Sequence, residues 1–328
     1  MGRFLTKRIL NMIPLLLLAT LLSFSLMQLA PGGPENLLLG AEADATMDAD
    51  RMEELKERWG LNDPIHIQYF RWLKNVAAGD FGNSYFYRKP VIEVVTAALP
   101  NTLQLNVIAL FLIYAIAIPL GVVSAVKQYS KMDYAVTGLA FAGQAAPNFW
   151  IATLLIWGVA LNSGGAIPTN GIATPGVNFE TYGWVSVIAD RAKYMILPLV
   201  VIVFSGLTGL TRYMRSSMLE VLKEDYIRTA RAKGLAQKMV IYKHALRNAM
   251  LPIVAISGGL LSTLVGGSVI IETIFSWPGI GRVGFDAVIQ RDYNVSMAIM
   301  LMSSVMTLVG FLLVDMAYVW IDPRIKYD

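Results

Sequence analysis

The 328-residue chain is 55% apolar and only 15% charged, with a mean hydropathy of +0.54 and a formal net charge of +4. A soluble domain carries about a quarter charged residues, so this composition excludes an ordinary soluble protein and indicates an integral membrane protein. The lack of cysteine excludes disulfides and thiolate metal sites, and the basic balance reads as membrane sidedness rather than nucleic-acid binding.

About 20 apolar residues cross a bilayer core as helix, and six segments meet that length. Their continuous apolar runs, with no alternation, predict an all-α chain rather than a membrane barrel. The first run, Ile9–Leu29, follows Arg3, Lys7 and Arg8 as a signal peptide would. It is too long for a signal h-region, no A-x-A site follows, and PGGP at Pro31–Pro34 ends it. Residues 1–30 therefore read as a cytoplasmic N-terminus and an uncleaved first span, and residues 31–98 as an insert on the other side. Within the insert, Met52–Trp59 has helical spacing with opposite charges, and Gln68–Ala78 places Tyr69, Trp72, Leu73 and Val76 on one side. Trp59, Phe70 and Trp72 either pack into a miniature core or rest at the membrane interface.

Residues 99–322 form the membrane core, with spans predicted at 103–126, 134–161, 195–217, 250–275 and 295–320. A soluble loop at 218–249 and a tail at 323–328 complete the chain. Asn162–Tyr194, rich in Gly and Pro, is predicted to be built from turns. Pro14, Pro119, Pro147, Pro198 and Pro252 lie in or at the ends of spans, where each can kink its helix.

Charge fixes the orientation. From Arg212 to Arg247 there are nine Lys/Arg against three Asp/Glu, whereas Pro31–Leu99 carries seven basic and eleven acidic residues. The positive-inside rule places the basic loop and both termini in the cytoplasm. His66 and His244 then lie on opposite sides, so they form no joint metal site.

No chemistry of its own is visible. The sequence contains no GxxxxGK[ST], no HExxH and no GxSxG, which excludes a P-loop ATPase and the common hydrolase types. Glu272 and Asp315 are the acidic residues within predicted spans and, with Trp277, Pro278 and Gly279 of the turn WPGIG, are candidates for a gate or for the substrate pathway. The competing reading is a structural turn and a carboxylate that caps a neighbour. An ion-coupled carrier would show a buried ionisable relay and often an inverted repeat, and neither is seen.

The basic loop is the main candidate site. Acidic Glu224 and Asp225 suit the start of a helix, Ile227, Ala230, Arg231 and Gly234 follow at spacings of three and four, and Gly234 suits a left-handed stop. A second helix is predicted at Gln237–Asn248. Small Ala230 and Ala232 would let a partner approach the backbone closely. The same spacing also fits a solvated loop or one bound to anionic membrane lipid.

RTARAKGL (Arg228–Leu235) followed by KHALRNAMLP (Lys243–Pro252) resembles the EAA loop of type I ABC-importer permeases, in the form carried by the peptide/nickel group. The resemblance runs through LAPGGP at Leu29–Pro34, Gly60–Tyr85, LPNTLQL at Leu99–Leu105, GGSVIIETIFSWPGIGRV at Gly266–Val283 and IDPRIKYD at Ile321–Asp328. The long insert resembles that of the B-type subunit. The chain departs from the general motif: Arg228, Thr229 and Ala230 stand at the E-A-A places, and Ala236 replaces a common capping Ser.

The resemblance implies a six-span type I permease fold with a small extracytoplasmic insert between the first two helices, in a bacterial or archaeal cytoplasmic membrane. It implies a subunit that is not itself an enzyme and binds no cofactor. Its partners would be a C-type permease, two ATP-binding subunits using ATP and Mg, and an extracytoplasmic substrate-binding protein. Arg228, Thr229, Ala230, Arg231, Ala232, Lys233 and Gly234 would form the ATPase-coupling helix. The implied cargo is di- or oligopeptides; nickel chelates, glutathione or another small solute, and more distantly an ion-coupled carrier or channel, are the alternatives.

Overall fold

A computed structural model describes residues 2–29, 62–177, 179–257 and 259–321, and within these every regular element is a helix. The expected helix at Met52–Trp59, Trp59 itself, the PGGP turn and the tail at 323–328 lie outside the described residues.

α1 (Gly2–Leu29) exposes a run of leucines and turns Thr20 and Phe24 inward. There it meets α2 (Ile65–Ala77). Tyr69 is buried in an edge contact with Phe24 at 5.6 Å, and its hydroxyl lies 3.0 Å from Thr20 Oγ1. Trp72 stacks on Tyr69 while Phe70 is 64% exposed. The amphipathic run thus supplies both halves of the expectation: one face packs on α1 and Met297, and the other carries exposed apolar residues.

α3 (Val91–Val126) begins well before the predicted span. Val91, Val94, Val95 and Ala98 recur at helical spacing and are buried, so the helix takes residues 91–98 from the insert and runs for about 54 Å. The predicted span 134–161 is not one helix. α4 (Lys131–Ala145) and α5 (Asn148–Leu155, continued by a π segment at Ile156–Ala160) meet at 101°. Ala146 before Pro147 is extended, at ψ 124°, because the proline ring clashes with a helical predecessor.

α6 (Phe179–Val221) is longer than the predicted 195–217 and includes one non-helical residue, Gly183. Turns therefore occupy only the first part of the expected loop Asn162–Tyr194. A loop at 222–250, described below, leads to the predicted fifth span. That span is divided into α10 (Leu251–Ser257), α11 (Leu260–Gly266) and α12 (Val269–Ile274), broken after α11 by Gly267 at φ 69°. α13 (Ile280–Ile289) and α14 (Tyr293–Ile321) complete the chain, α14 close to the predicted 295–320. Among the described residues four helices are long and apolar enough to cross a membrane unbroken, and the bent α4–α5 pair makes up to five. Two of the predicted spans are thus broken helices: Pro147 bends one, as its position allowed, and Gly267 interrupts another.

Three aspartates bind the turns. Asp133, buried at the start of α4, receives Arg215 Nε and Nη2 at 2.6 and 2.8 Å, the Tyr129 N–H at 2.9 Å and the Ser124 hydroxyl. Asp190 accepts the N–H and hydroxyl of Thr174, both at 2.7 Å, and so secures the loop preceding α6 to that helix. Asp292, fully buried, accepts the Ser84 hydroxyl and the Phe86 N–H, pinning the segment before α3 to the turn between α13 and α14. Burial and the neighbouring Asp292 carboxylate push the Tyr85 phenol up to about 12, so it stays protonated at neutral pH.

α3 and α6 cross where small residues admit the opposing helix. A Cβ added to Gly121 would stand 2.6 Å from Met214 Cβ and 2.9 Å from the Thr211 carbonyl oxygen. Gly121→Val is therefore expected to destabilise the protein by about 1–3 kcal/mol, read as a lower melting temperature in detergent; an unchanged value would refute this close packing.

Candidate functional site

The basic loop folds into α7 (Asp225–Ala232) and a second helical stretch. That stretch comprises α8 (Gln237–Met239), a π segment at Val240–Ala245 and α9 (Leu246–Ala249). Gly234 adopts φ 75°. Its N–H donates to the Arg231 carbonyl at 3.0 Å and the Leu235 N–H to the Ala230 carbonyl at 3.4 Å, the pattern of a left-handed glycine stop. Glu224 caps α7 without a side-chain hydrogen bond, and so does Ala236 at the start of α8.

α7 is amphipathic, and its apolar face is spent internally. Ile227 and Ala230 are buried in a cluster with Met214 and Met218 of α6, Val122 of α3, and Val240, Ile241 and Ala245 of the π segment. Asn248 Nδ2 donates to the Tyr226 hydroxyl at 2.6 Å, and the Ser217 hydroxyl donates to the Ala249 carbonyl at 2.9 Å. Ala230 therefore does not present a small surface to a partner, as its residue type suggested; it faces the protein's own core. Arg228, Thr229, Arg231, Ala232, Lys233 and Gly234 form the exposed face. Arg228 and Asp225 approach to 3.2 Å, but both are largely solvated, so this pair adds little stability.

The second set of candidates separates into two places. Glu272 is buried in α12 and acts as a hub. Its Oε1 accepts the Thr102 hydroxyl at 3.0 Å and its Oε2 accepts the Arg282 N–H at 2.9 Å. Thr102 Oγ1 in turn accepts the Ile280 N–H at 2.7 Å. Trp277 is fully buried, donating Nε1–H to the Asn101 carbonyl at 2.9 Å beneath the Arg191 guanidinium at 5.3 Å from its ring. Asn101 Nδ2 donates to the Pro278 carbonyl at 2.8 Å. The sequence segments LPNTLQL and GGSVIIETIFSWPGIGRV thus interlock, residue on residue.

Glu272, Trp277 and Gly279 are buried within this network, and Pro278 borders a cleft of about 510 Å³ with Lys89 and Glu93. Asp315 is not part of the cluster: it pairs with Arg8 at 2.9 Å, tying α14 to α1. Sequence reasoning missed the carboxylates Asp133, Asp190 and Asp292, because no local motif marks them and the partners Arg215 and Ser84 lie in distant segments.

Residues 117–327 match the family described as the binding-protein-dependent transport system inner membrane component, and residues 1–106 match its N-terminal counterpart. The chain belongs to this family. It is accordingly a multi-pass inner membrane component with the type I ABC importer permease fold, a transport subunit rather than an enzyme. Such a component works with an ATPase and a substrate-binding protein. It is 44% identical to the oligopeptide transport system permease protein AppB of Bacillus subtilis (strain 168), over 100% of both chains. It is 38% identical to the dipeptide transport system permease protein DppB of Escherichia coli (strain K12), over 100% of this chain and 99% of that one. Among solved structures, the MetNI methionine ABC transporter in inward-facing conformations is similar at a TM-score of 0.48 and 17% identity, covering 69% of this chain and 93% of that one.

The Glu272 hub requires glycine around it. A Cβ on Gly267, already at positive φ, would stand 2.4 Å from Glu272 Oε1. Glu272→Ala would leave the Arg282 N–H and the Thr102 hydroxyl without their acceptor, at about 1–3 kcal/mol for each buried group. Both Glu272→Ala and Gly267→Ala are expected to lower the melting temperature and the yield of folded inner membrane component. Unchanged stability in either would show that the hub is not structural.

Proposed function

We propose that this chain is the permease subunit of an ATP-driven importer of di- and oligopeptides, of the B type, working beside a C-type permease. Two ATP-binding subunits using ATP and Mg sit on its cytoplasmic side, and an extracytoplasmic binding protein delivers the substrate. Both termini are cytoplasmic. The peptide cargo rests on the likeness to AppB and DppB, whose names state oligopeptide and dipeptide transport.

The observation that carries the coupling role is the two-sidedness of α7. Its inner face is fused to α3, α6 and the π segment through Ile227 and Ala230, and its outer face offers Arg228, Arg231 and Lys233 beside the small Ala232 and Gly234. A force applied to that outer face is passed to α6 without first bending a flexible loop. ATP-driven closure of the ATPases would move α7 and shift the spans between inward- and outward-open states, provided α7 binds the two ATPase states unequally.

In the assembled transporter, Ala232→Trp and Arg228→Glu are expected to leave the chain folded and inserted while lowering ATP-dependent peptide uptake at least about tenfold, equivalent to about 1.4 kcal/mol of coupling. Ala230→Trp is expected instead to lower thermal stability, because its side chain has no outlet. Normal uptake by Ala232→Trp and Arg228→Glu would remove α7 from the coupling path. Uptake that persists without ATPase subunits would favour a self-contained carrier or channel.

A further inference from the structure

Two polar stripes face one another across α4 and α6. On α4 and the bend beyond it, Thr137, Gln144 and Asn148 lie at one helical phase; on α6, Ser205, Thr208, Arg212 and Ser216 do the same. They bound two clefts of about 580 and 430 Å³ that share Gln144 and Gly209 and so form one groove. The opposite flank of α4, with Met132, Val136 and Leu139, is apolar. Between Ser205 and the cytoplasmic end of α6 at Val221 lies about 24 Å of helix, so the groove reaches well into the hydrocarbon region. Polar side chains at that depth face protein or a water-filled path rather than lipid.

Charge makes the groove more specific. Arg215, at its cytoplasmic end, is neutralised by Asp133. Arg212 is not: among the described residues its partners are Gln144 Oε1 at 2.5 Å and the Phe141 ring, 4.7 Å below its guanidinium. A cation over an aromatic face, steadied by one amide, keeps donors available for a visiting anion.

We propose that this groove lines the inner half of the translocation pathway and that Arg212 holds a carboxylate of the peptide as it passes. The cargo half of this inference rests on the peptide reading above. The natural absence of cysteine gives a direct test in the assembled transporter with its ATPase and binding-protein partners. Ser205→Cys and Asn148→Cys, both half-buried in the groove, are expected to react with a membrane-impermeant methanethiosulfonate, and Leu139→Cys on the apolar flank is not. Unreactive Ser205→Cys and Asn148→Cys would overturn the groove as a pathway.

In proteoliposomes, Arg212→Gln is expected to lower the ratio of uptake of a free-acid peptide to that of its C-terminally amidated twin by about tenfold, the loss of one charge-assisted hydrogen bond. Arg212→Lys should restore part of that ratio. An unchanged ratio overturns the carboxylate role, and a loss in Arg212→Gln that instead follows the fraction of anionic lipid would assign Arg212 to a lipid phosphate. A wild-type transporter that carries neither peptide refutes the peptide cargo and the carboxylate role together, while the thiol pattern still decides whether the groove is the pathway.

Discussion

A backbone that leaves the helix inside or beside a membrane must find partners for every N–H and C=O it releases, because hydrocarbon offers none. This chain meets the requirement with buried carboxylates. Glu272 gathers the broken segment between α11 and α13, Asp133 the turn into α4, Asp190 the loop preceding α6, and Asp292 the segment leading into α3. Each accepts at least one backbone N–H, so a single side chain replaces part of the hydrogen-bond ladder that a continuous helix would have kept. The bends give the fold its shape, and the carboxylates let the bends persist.

The second organising feature is the fusion of α7 to the helices above it. Ile227 and Ala230 make α7 stiff toward its own protein by burial, while Arg228, Arg231 and Lys233 stay exposed on its other face, the two properties that the coupling role proposed above would need. The Gly234 stop separates the two helices without leaving a long loop between them. The Arg8–Asp315 pair does a related task elsewhere, binding α1 to α14 across the length of the chain.

Much of this was legible in the sequence, and the limits are physical. Hydropathy located the apolar segments, and Gly234 marked the end of α7. Hydropathy is blind to direction, however: a run such as 134–161 scores alike whether straight or bent at Pro147. Asp292 escaped because its burial depends on the contact with Ser84, which lies 208 residues away. Ala230 looked like a docking surface because small size suits close packing on either side of a helix, and only the position of Met214 and Met218 decides which. The polar stripes on α4 and α6 are uncharged apart from Arg212, so a search for intramembrane carboxylates passes over them.

The pinning of Ser84 and Phe86 by Asp292 has a consequence for any partner that meets this surface. Ser84 and Phe86 are held on that carboxylate, and Asn294 Nδ2 donates to the Asn83 carbonyl at 2.9 Å. The surface between α2 and α3 is therefore ordered before any partner arrives. Ordering a loop on contact costs side-chain and backbone freedom that must be subtracted from affinity. A surface fixed in advance has little such entropy left to lose, so even a small area of contact can suffice for a brief and specific encounter.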